Sequence, residues 1–517
     1  MKRSAIAWLA GAATGALLAG AVAAEAATQD RTLRVAINQF PLALGNPYRG
    51  SGSPGVYHWA AIFDAPTWVD EKGKPQPAIA LSWQNTAPTT WRFKVRPNTT
   101  YSNGEKVDAD SIIASFDWLN SEDGRRDGQN ASVIVRPLGK LTKVDDLTFE
   151  VTTAKPDPIV PARISGLYLV PPKYFKDVGI AGFTRKPIGT GPYKHLDWIA
   201  DNRANMEAWE GSYRPPKIRR LELFKLEERP ARLAAFLSGQ VEIMQGGTPD
   251  NFPQIEAAGG LIDISYSPQT VSMGLFTENV QANVKPLADR RVRQALNYAV
   301  NTQGYVDAYL RGFGGRVTGM IIPSTAQGYH PTKHYGHNPD KAKALLAEAG
   351  HPNGQGIPEL LIEAVIGGVP GDSEIYQNVV QDLGKVGVKM SVRPTAFANY
   401  LGKLLDTPKW EGHGYVAINA ISPLNDTIQG LVYGSCRNPS KPFYCDESLR
   451  ATFDQSDTEL DPAKRNALLA QIQEKYNVEA PHIFLHEIVD MTAVSRNLKG
   501  FRNRVRTFTY EEIEFVR

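Results

Sequence analysis

The sequence predicts an α/β protein with mixed sheets, divided into two or three domains. Three observations carry that expectation. Short stretches of period-2 apolar alternation take turns with longer stretches of helical 3.6-residue periodicity. The chain has 517 residues, too many for one core at roughly 100–200 residues per domain. It contains no fixed-period internal repeat and no low-complexity tract.

The first 26 residues stand apart from the fold. Lys2 and Arg3 make a charged start, Ala5 to Val22 is small and apolar, and Ala24-Glu25-Ala26 fits the small-x-small rule for signal peptidase. Cleavage is expected after Ala26, giving an exported protein of about 490 residues. No later stretch reaches about 18 consecutive apolar residues, so a soluble mature chain is expected. With 57 Lys and Arg against 54 Asp and Glu the formal charge is +3, and removing Lys2, Arg3 and Glu25 leaves +2. That near-neutral balance, with only the short run Arg290, Arg291, Arg293, gives no electrostatic footprint for a nucleic-acid partner.

The elements follow in order. Leu33 to Ile37 alternates as a first strand, followed by a Gly/Pro/Ser-rich loop from Phe40 to Gly55. Trp91 to Arg96 is a second period-2 strand. Asp108 caps a helix with Ile112, Ile113, Phe116 and Leu119 on one face. Leu141–Val144 and Leu147–Val151 form a hairpin around Asp145-Asp146. Pro230 opens a helix that ends at Gly239, with Val241–Ile243 a short strand after it. Val292, Ala295, Leu296, Ala299 and Val300 make a buried stripe on a helix from Asp289. Asn338 caps, Pro339 starts and Gly350 stops another helix. Glu374–Lys385 is a helix, Val388–Val392 a strand, and Asp461-Pro462 opens a last long helix through Tyr476. Tyr266–Gly274 and Asp490–Val494, strand-like between helix-rich regions, are expected to cross between lobes.

The run Pro187-Ile188-Gly189-Thr190-Gly191-Pro192-Tyr193-Lys194 carries the most information. Two glycines one residue apart permit dihedrals a Cβ would forbid, and Pro192 fixes φ, so the run re-aims the chain into a sheet. It is no phosphate loop, because no Gly-Lys-Ser/Thr follows. The run resembles the Gly-Thr-Gly-Pro-Tyr segment of the family 5 extracellular solute-binding proteins of ABC importers, the dipeptide/oligopeptide-binding protein family. Ile79-Ala80-Leu81-Ser82-Trp83, Tyr101 to Asp110, Leu237 to Ile243, Arg290 to Ala299 and Asp340 to Gly350 are similar to further segments of that family. The resemblance implies a two-lobe periplasmic binding protein of the class II, or cluster C, type with mixed sheets. Lobe 1 would span residues 27–268 with an extra subdomain at about 60–180, lobe 2 would span 269–490, and residues 491–517 would return to lobe 1. It also implies capture of a peptide or peptide-like solute, permease subunits of an inner-membrane transporter as partners, a periplasmic location, and a monomer without cofactor, metal or catalytic residues.

Site residues follow from that resemblance. Tyr48, Arg49, Tyr57, His58 and Trp59 lie where the family's cleft opens, the aromatics offering stacking area and Arg49 a partner for an acidic group. Tyr400 and Trp410 flank the loop after Gly414, where specificity is expected. With Pro423 aligned to the Pro of the family's loop, Asn419 stands where peptide binders carry an Asp for the ligand's amino group. A neutral amide cannot give a buried ammonium its charge-assisted bond. Asp426 supplies that charge if the loop is shifted, and otherwise an oligosaccharide, an opine-like conjugate or a metal chelate is the alternative solute.

The two cysteines, Cys436 and Cys445, lie nine positions apart and read, in an exported chain, as one disulfide closing a surface loop. Loop-closure entropy gives such a bridge roughly 2–3 kcal/mol. Other chemistry finds little support. His330, His334 and His337 are spaced for a metal but sit in a loop before the Asn338 cap, and His486-Glu487 lacks its second histidine, since Asp490 stands there. A hydrolase would need a Gly-x-Ser-x-Gly or a complete metal motif, and neither is present.

Overall fold

The computed structural model describes residues 29–41, 43–49, 53–128, 131, 134–277, 284–317, 322–366, 369–396, 399–400, 403, 412–420, 424–433, 435–436, 444, 446–504 and 507–516. The expected signal segment 1–26, Trp410 and Cys445 lie outside them.

One ten-stranded mixed sheet runs through both lobes. Its strands are β1 (Gln29–Ile37), β2 (Tyr193–Ile199), β3 (Arg203–Ala208), β4 (Ile218–Lys225), β5 (Ile243–Gln245), β6 (Gly260–Leu275), β7 (Leu360–Ala364), β8 (Met390–Pro394), β9 (Gly414–Ala420) and β10 (His482–Ser495). Their spatial order is β8-β7-β9-β6-β10-β5-β1-β4-β3-β2. β1 is parallel to β4 and β5, and β7 is parallel to β8 and β9. These two parallel groups are the centres of the lobes. β6 and β10, antiparallel to each other, join them.

The joining strands are long because each serves two lobes. β10 pairs with β5 through Ile243↔Val494 and Gln245↔Thr492. β6 pairs with β9 through Gln269↔Ala420 to Leu275↔Gly414. The β6–β10 register holds from Gly260↔Ser495 to Tyr266↔Val489, shifts between Tyr266 and Thr270, shifts again before Ser272, and resumes to Gly274↔His482. A bulge bends a strand and raises its local twist. Here the irregularity falls where the ladder passes from one lobe to the other. The stretches expected to cross, Tyr266–Gly274 and Asp490–Val494, lie on these two strands.

Each lobe has its own apolar core. Leu33, Val35, Ile243 and Val494 belong to the first, with the helix Ser53–Ile62 and a four-stranded subdomain sheet (80–87, 90–95, 148–152, 140–145). In that small sheet Phe93 stacks on Phe149 with centroids 5.1 Å apart. The second core gathers Val271, Met273, Leu275, Ile483 and Leu485 under the helices Arg290–Ala299, Pro339–Glu348 and Asp372–Lys385. The sequence caps are present: Asp108, Asp289, Asn338 and Asp461 each accept a backbone N–H of the first helical turn. Element ends move by a few residues, as when the helix expected from Glu374 starts at Asp372 and the strand expected at Val388 at Met390.

The glycine run has a different reason from the one the sequence suggests. Neither Gly189 nor Gly191 has positive φ. A Cβ on Gly189 would lie 2.0 Å from the Ile62 carbonyl oxygen, and one on Gly191 2.6 Å from that of Ala61. The run is pressed against the end of the helix Ser53–Ile62, and the Gly191 N–H donates to Ile62 O at 2.8 Å. Thr190 donates to Asp64 Oδ2 at 2.9 Å. Asp64 also takes Tyr213 and Arg214, and Arg214 reaches Glu511 at 2.9 Å. Burial opposes the Arg214 charge, but Asp64 and Glu511 outweigh it and hold its pKa up. The run therefore fixes helix to strand, not chain to ligand. Replacing Gly189 with Ala should destabilise the fold by about 1–3 kcal/mol through overpacking, read as a lower urea midpoint at unchanged m-value.

Candidate functional site

The site is built around the crossing. Residues directly opposite one another on paired strands share a face, so Gln245, Thr492 and Asp263 form one row across β5, β10 and β6. Gln245 Oε1, Thr492 Oγ1 and Asp263 Oδ2 are buried with no hydrogen-bond partner within the protein. Burial raises the Asp263 carboxyl above the usual carboxylate range, against the pull of Asn503 on the same side chain. On the second-lobe side of the bulge, Thr270 is fully buried with Oγ1 unpaired, opposite Asn419 on one neighbouring strand and Glu487 on the other. Unpaired buried polar groups are rare and costly. Three of them on the joining strands, with Gln245 beside them on β5, mark this strip as the candidate place where a solute's donors and acceptors would be met.

Glu487 sits beside that strip. It is 2% exposed and accepts from Ser324 N at 2.7 Å and Ser324 Oγ at 2.9 Å. Burial pushes its pKa up, against the pull of the two Ser324 bonds. A pocket of about 410 Å³ opens next to Ser324, lined by Glu71 and Lys72 from the first lobe and by Gln327, Tyr329 and His330 from the second.

The residues expected at the cleft divide. Tyr48, Tyr57, His58 and Trp59 are core side chains, at 0–3% exposure. Tyr48 donates to Tyr168 O at 2.6 Å and Trp59 Nε1 to Leu44 O at 2.9 Å. Burial lowers the His58 pKa to about 3, with neighbouring His195 adding to the effect. Their aromatic surface packs the first lobe, and the structure shows them buried. Arg49 is the exposed member of the group. Tyr400 is buried at 8% with Phe276 and Tyr415 in a small aromatic cluster of the second lobe. Asn419 lies on β9 opposite Thr270.

Asp426 is held within the protein. It is 2% exposed, and Arg465 grips it bidentately, Nη1 to Oδ2 at 2.9 Å and Nη2 to Oδ1 at 2.8 Å. The Ile428 N–H also donates to Oδ1, and Arg465 Nε donates to Ser456 O. The charge offered for a ligand amine is spent inside the protein. Sequence reasoning missed Arg465, which lies 39 positions away on the helix Pro462–Glu479 with nothing local to link the two. The same holds for Glu363, buried on β7 and paired with Arg393 and Lys403. Of the spaced histidines, His330 meets Glu474 at 3.0 Å, while burial and Arg316 lower the His334 pKa. Among the described residues no group of three or more His, Cys, Asp or Glu is placed to hold a metal. Cys436 is buried and is no free thiol.

Two lobes carrying separate parallel-strand centres, joined by two paired strands with a polar strip at the crossing, define a solute-binding receptor. Residues 74–422 match the family described as bacterial extracellular solute-binding proteins, family 5 Middle, and the chain belongs to that family. The dipeptide-binding protein of Escherichia coli (strain K12) is 25% identical over 458 residues, 82% of this chain and 83% of the relative. Helicobacter pylori DppA in complex with the peptide STSA shares the fold at TM-score 0.77 and 19% identity, covering 96% of this chain and 99% of that one. Brucella suis NikA in complex with Fe(III)-EDTA shares it at TM-score 0.78 and 19% identity, over 94% and 100%.

Two outcomes test the site's electrostatics. Arg465→Met leaves Asp426 buried and unpaired and should cost about 3–5 kcal/mol in urea unfolding, most of it recovered in the double variant Arg465→Met/Asp426→Leu. Glu487 has a folded pKa above its unfolded value, so the native state binds more protons and wild-type stability falls as pH rises through the folded value. Glu487→Gln should therefore gain on wild type as pH rises from the ordinary glutamate value of about 4.3 through the folded value in thermal melts; a constant difference across that rise would contradict the shift.

Proposed function

We propose that this chain is the periplasmic solute receptor of an ABC importer, exported with cleavage after Ala26, which captures a peptide or peptide-like solute between its lobes and presents it to the permease. The observation that carries the reading is the pair β6–β10, which joins two complete lobes and carries the unpaired polar strip. Membership of an extracellular solute-binding family and the dipeptide-binding relative support it. Lobe 1 would span residues 27–268 with the 60–180 subdomain, lobe 2 269–490, and 491–517 the return. The receptor works as a monomer and performs no covalent chemistry. The Cys436–Cys445 disulfide belongs to the same proposal, supported by the absence of a free thiol at Cys436.

A second reading has its own observation. Arg465 neutralises Asp426, and Asn419 is neutral, so neither residue offers a charge to a free α-amine. That favours a solute without such an amine: an N-blocked peptide, an oligosaccharide, an opine-like conjugate or a metal chelate.

A thermal-shift screen of the 27–517 chain separates the two. A solute at a hundredfold excess over its Kd adds about 2.7 kcal/mol of stability and should raise Tm by a few degrees. Micromolar or tighter binding, roughly 8 kcal/mol, is expected for one solute class. Stabilisation by free-amine peptides supports the first reading. Stabilisation only by blocked peptides, sugars or chelates supports the second, and no stabilisation by any class would contradict both.

A further inference from the structure

The two lobes also meet through side chains outside the strands that join them. A third apolar cluster mixes first-lobe side chains, Ile159 and Ala162 with Val69 packed beside them, with second-lobe Leu424, Ile428 and Leu469. Polar bonds flank this seam. Gln327 Nε2 donates to Lys72 O at 2.7 Å, and Lys155 Nζ lies 3.4 Å from Asp457 Oδ2. The second-lobe side is held rigid: Gln327 N donates to Asn425 O, Thr427 N donates to Gln327 O, and Arg465 pins Asp426 between them. Arg465 also feels the Asp157 charge from the first lobe. Gly73 lies against the same ledge. A Cβ there would lie 2.6 Å from Asn425 O and 2.8 Å from Gln327 Cγ.

We propose that this seam is a closure latch: the turn Asp70–Lys74 and the Ile159–Ala162 segment dock on the Gln327/Asn425–Ile428 ledge and hold the lobes shut. The inference rests on the hinged-receptor reading above. The apolar part of the seam draws on no residue of the joining strands, whose own apolar cover includes Phe252 and Phe313 with Val489 and Met491. Closure therefore buries apolar surface of the protein's own, in addition to what the solute buries. A latch of this kind sets the fraction of ligand-free protein already closed. Apparent affinity scales with that fraction, so a fall from about one half to one tenth closed weakens binding roughly fivefold.

The test uses small-angle scattering on the full 27–517 chain, as purified and after guanidinium unfolding and refolding to strip any captured solute. Gly73→Ala drives a Cβ into Asn425 and Gln327; Gly104→Ala, also at positive φ (+88°) but with nothing within 4 Å, carries the same kind of backbone strain without the clash. Gln327→Ala removes the bond to Lys72 as an independent variant. The latch predicts that stripped Gly73→Ala and Gln327→Ala expand by about 1 Å over a compact radius of gyration near 23 Å, while Gly104→Ala matches wild type. If as-purified and stripped wild type differ but neither latch variant expands beyond stripped wild type, the latch is overturned and the hinged receptor stands. If no sample differs from any other, both are overturned. Equal expansion of Gly104→Ala would assign the effect to backbone strain and also overturn the latch.

Discussion

Everything else in this molecule depends on the pairing of β6 with β10. Two strands of 16 and 14 residues run through the boundary between lobes, and each is a central strand of the same ten-stranded sheet. Because they are hydrogen-bonded to each other and to a separate neighbour in each lobe, the lobes cannot separate without breaking ladders. The ladder between the two strands is interrupted where the register slips, at Tyr266–Thr270 and again before Ser272. Hinges are the few positions that absorb a change of backbone angle. A ladder interrupted only between Tyr266 and Ser272 and intact on both sides would confine such a change to a few residues.

The two apolar cores explain why the lobes behave as units. Val271, Met273 and Leu275 on β6 and Ile483 and Leu485 on β10 point into the second core, while Val494 at the other end of β10 points into the first. Between these ends the strands carry polar residues, Asp263, Asp490 and Thr492 among them. The crossing is two-faced: Val489 and Met491 pack a small apolar cluster with Phe252 and Phe313, while hydrogen-bonding capacity stays unspent at Asp263, Thr270 and Thr492, and at Gln245 on β5. Charged groups follow the opposite rule. Asp64 with Arg214, Glu363 with Arg393, and Asp426 with Arg465 are each closed inside one lobe. A buried pair is costly to break, so these groups brace the walls and are withdrawn from solute contact.

Much of the fold was legible in the sequence because it is set locally. The caps at Asp108, Asn338 and Asp461 and the stripe Val292–Ala299 need only their own neighbours to be read. The joining strands were recognisable as strands at the right places, though their full length was not, since β6 and β10 extend by pairing with β5 and β9 far away in the chain. The site was much less legible. Aromatic residues at 48, 57 and 59 have the same composition whether they line a cleft or fill a core, and here they fill a core. Asp426 looked free because the arginine that holds it comes from a helix 39 residues on. The glycines at 189 and 191 were correctly singled out for the wrong reason: they permit contact with the helix ending at Ile62, which a one-dimensional pattern does not show.

The central claim is that the lobes move as rigid bodies about the β6–β10 crossing and shut on a solute. Pulsed dipolar spectroscopy between spin labels at exposed Asp146 in the subdomain and exposed Lys343 in the second lobe measures it directly. Protein carrying its solute should give one narrow, short distance, and stripped protein should add a longer population that solute removes. One unchanged distance distribution in both samples would contradict a hinged receptor.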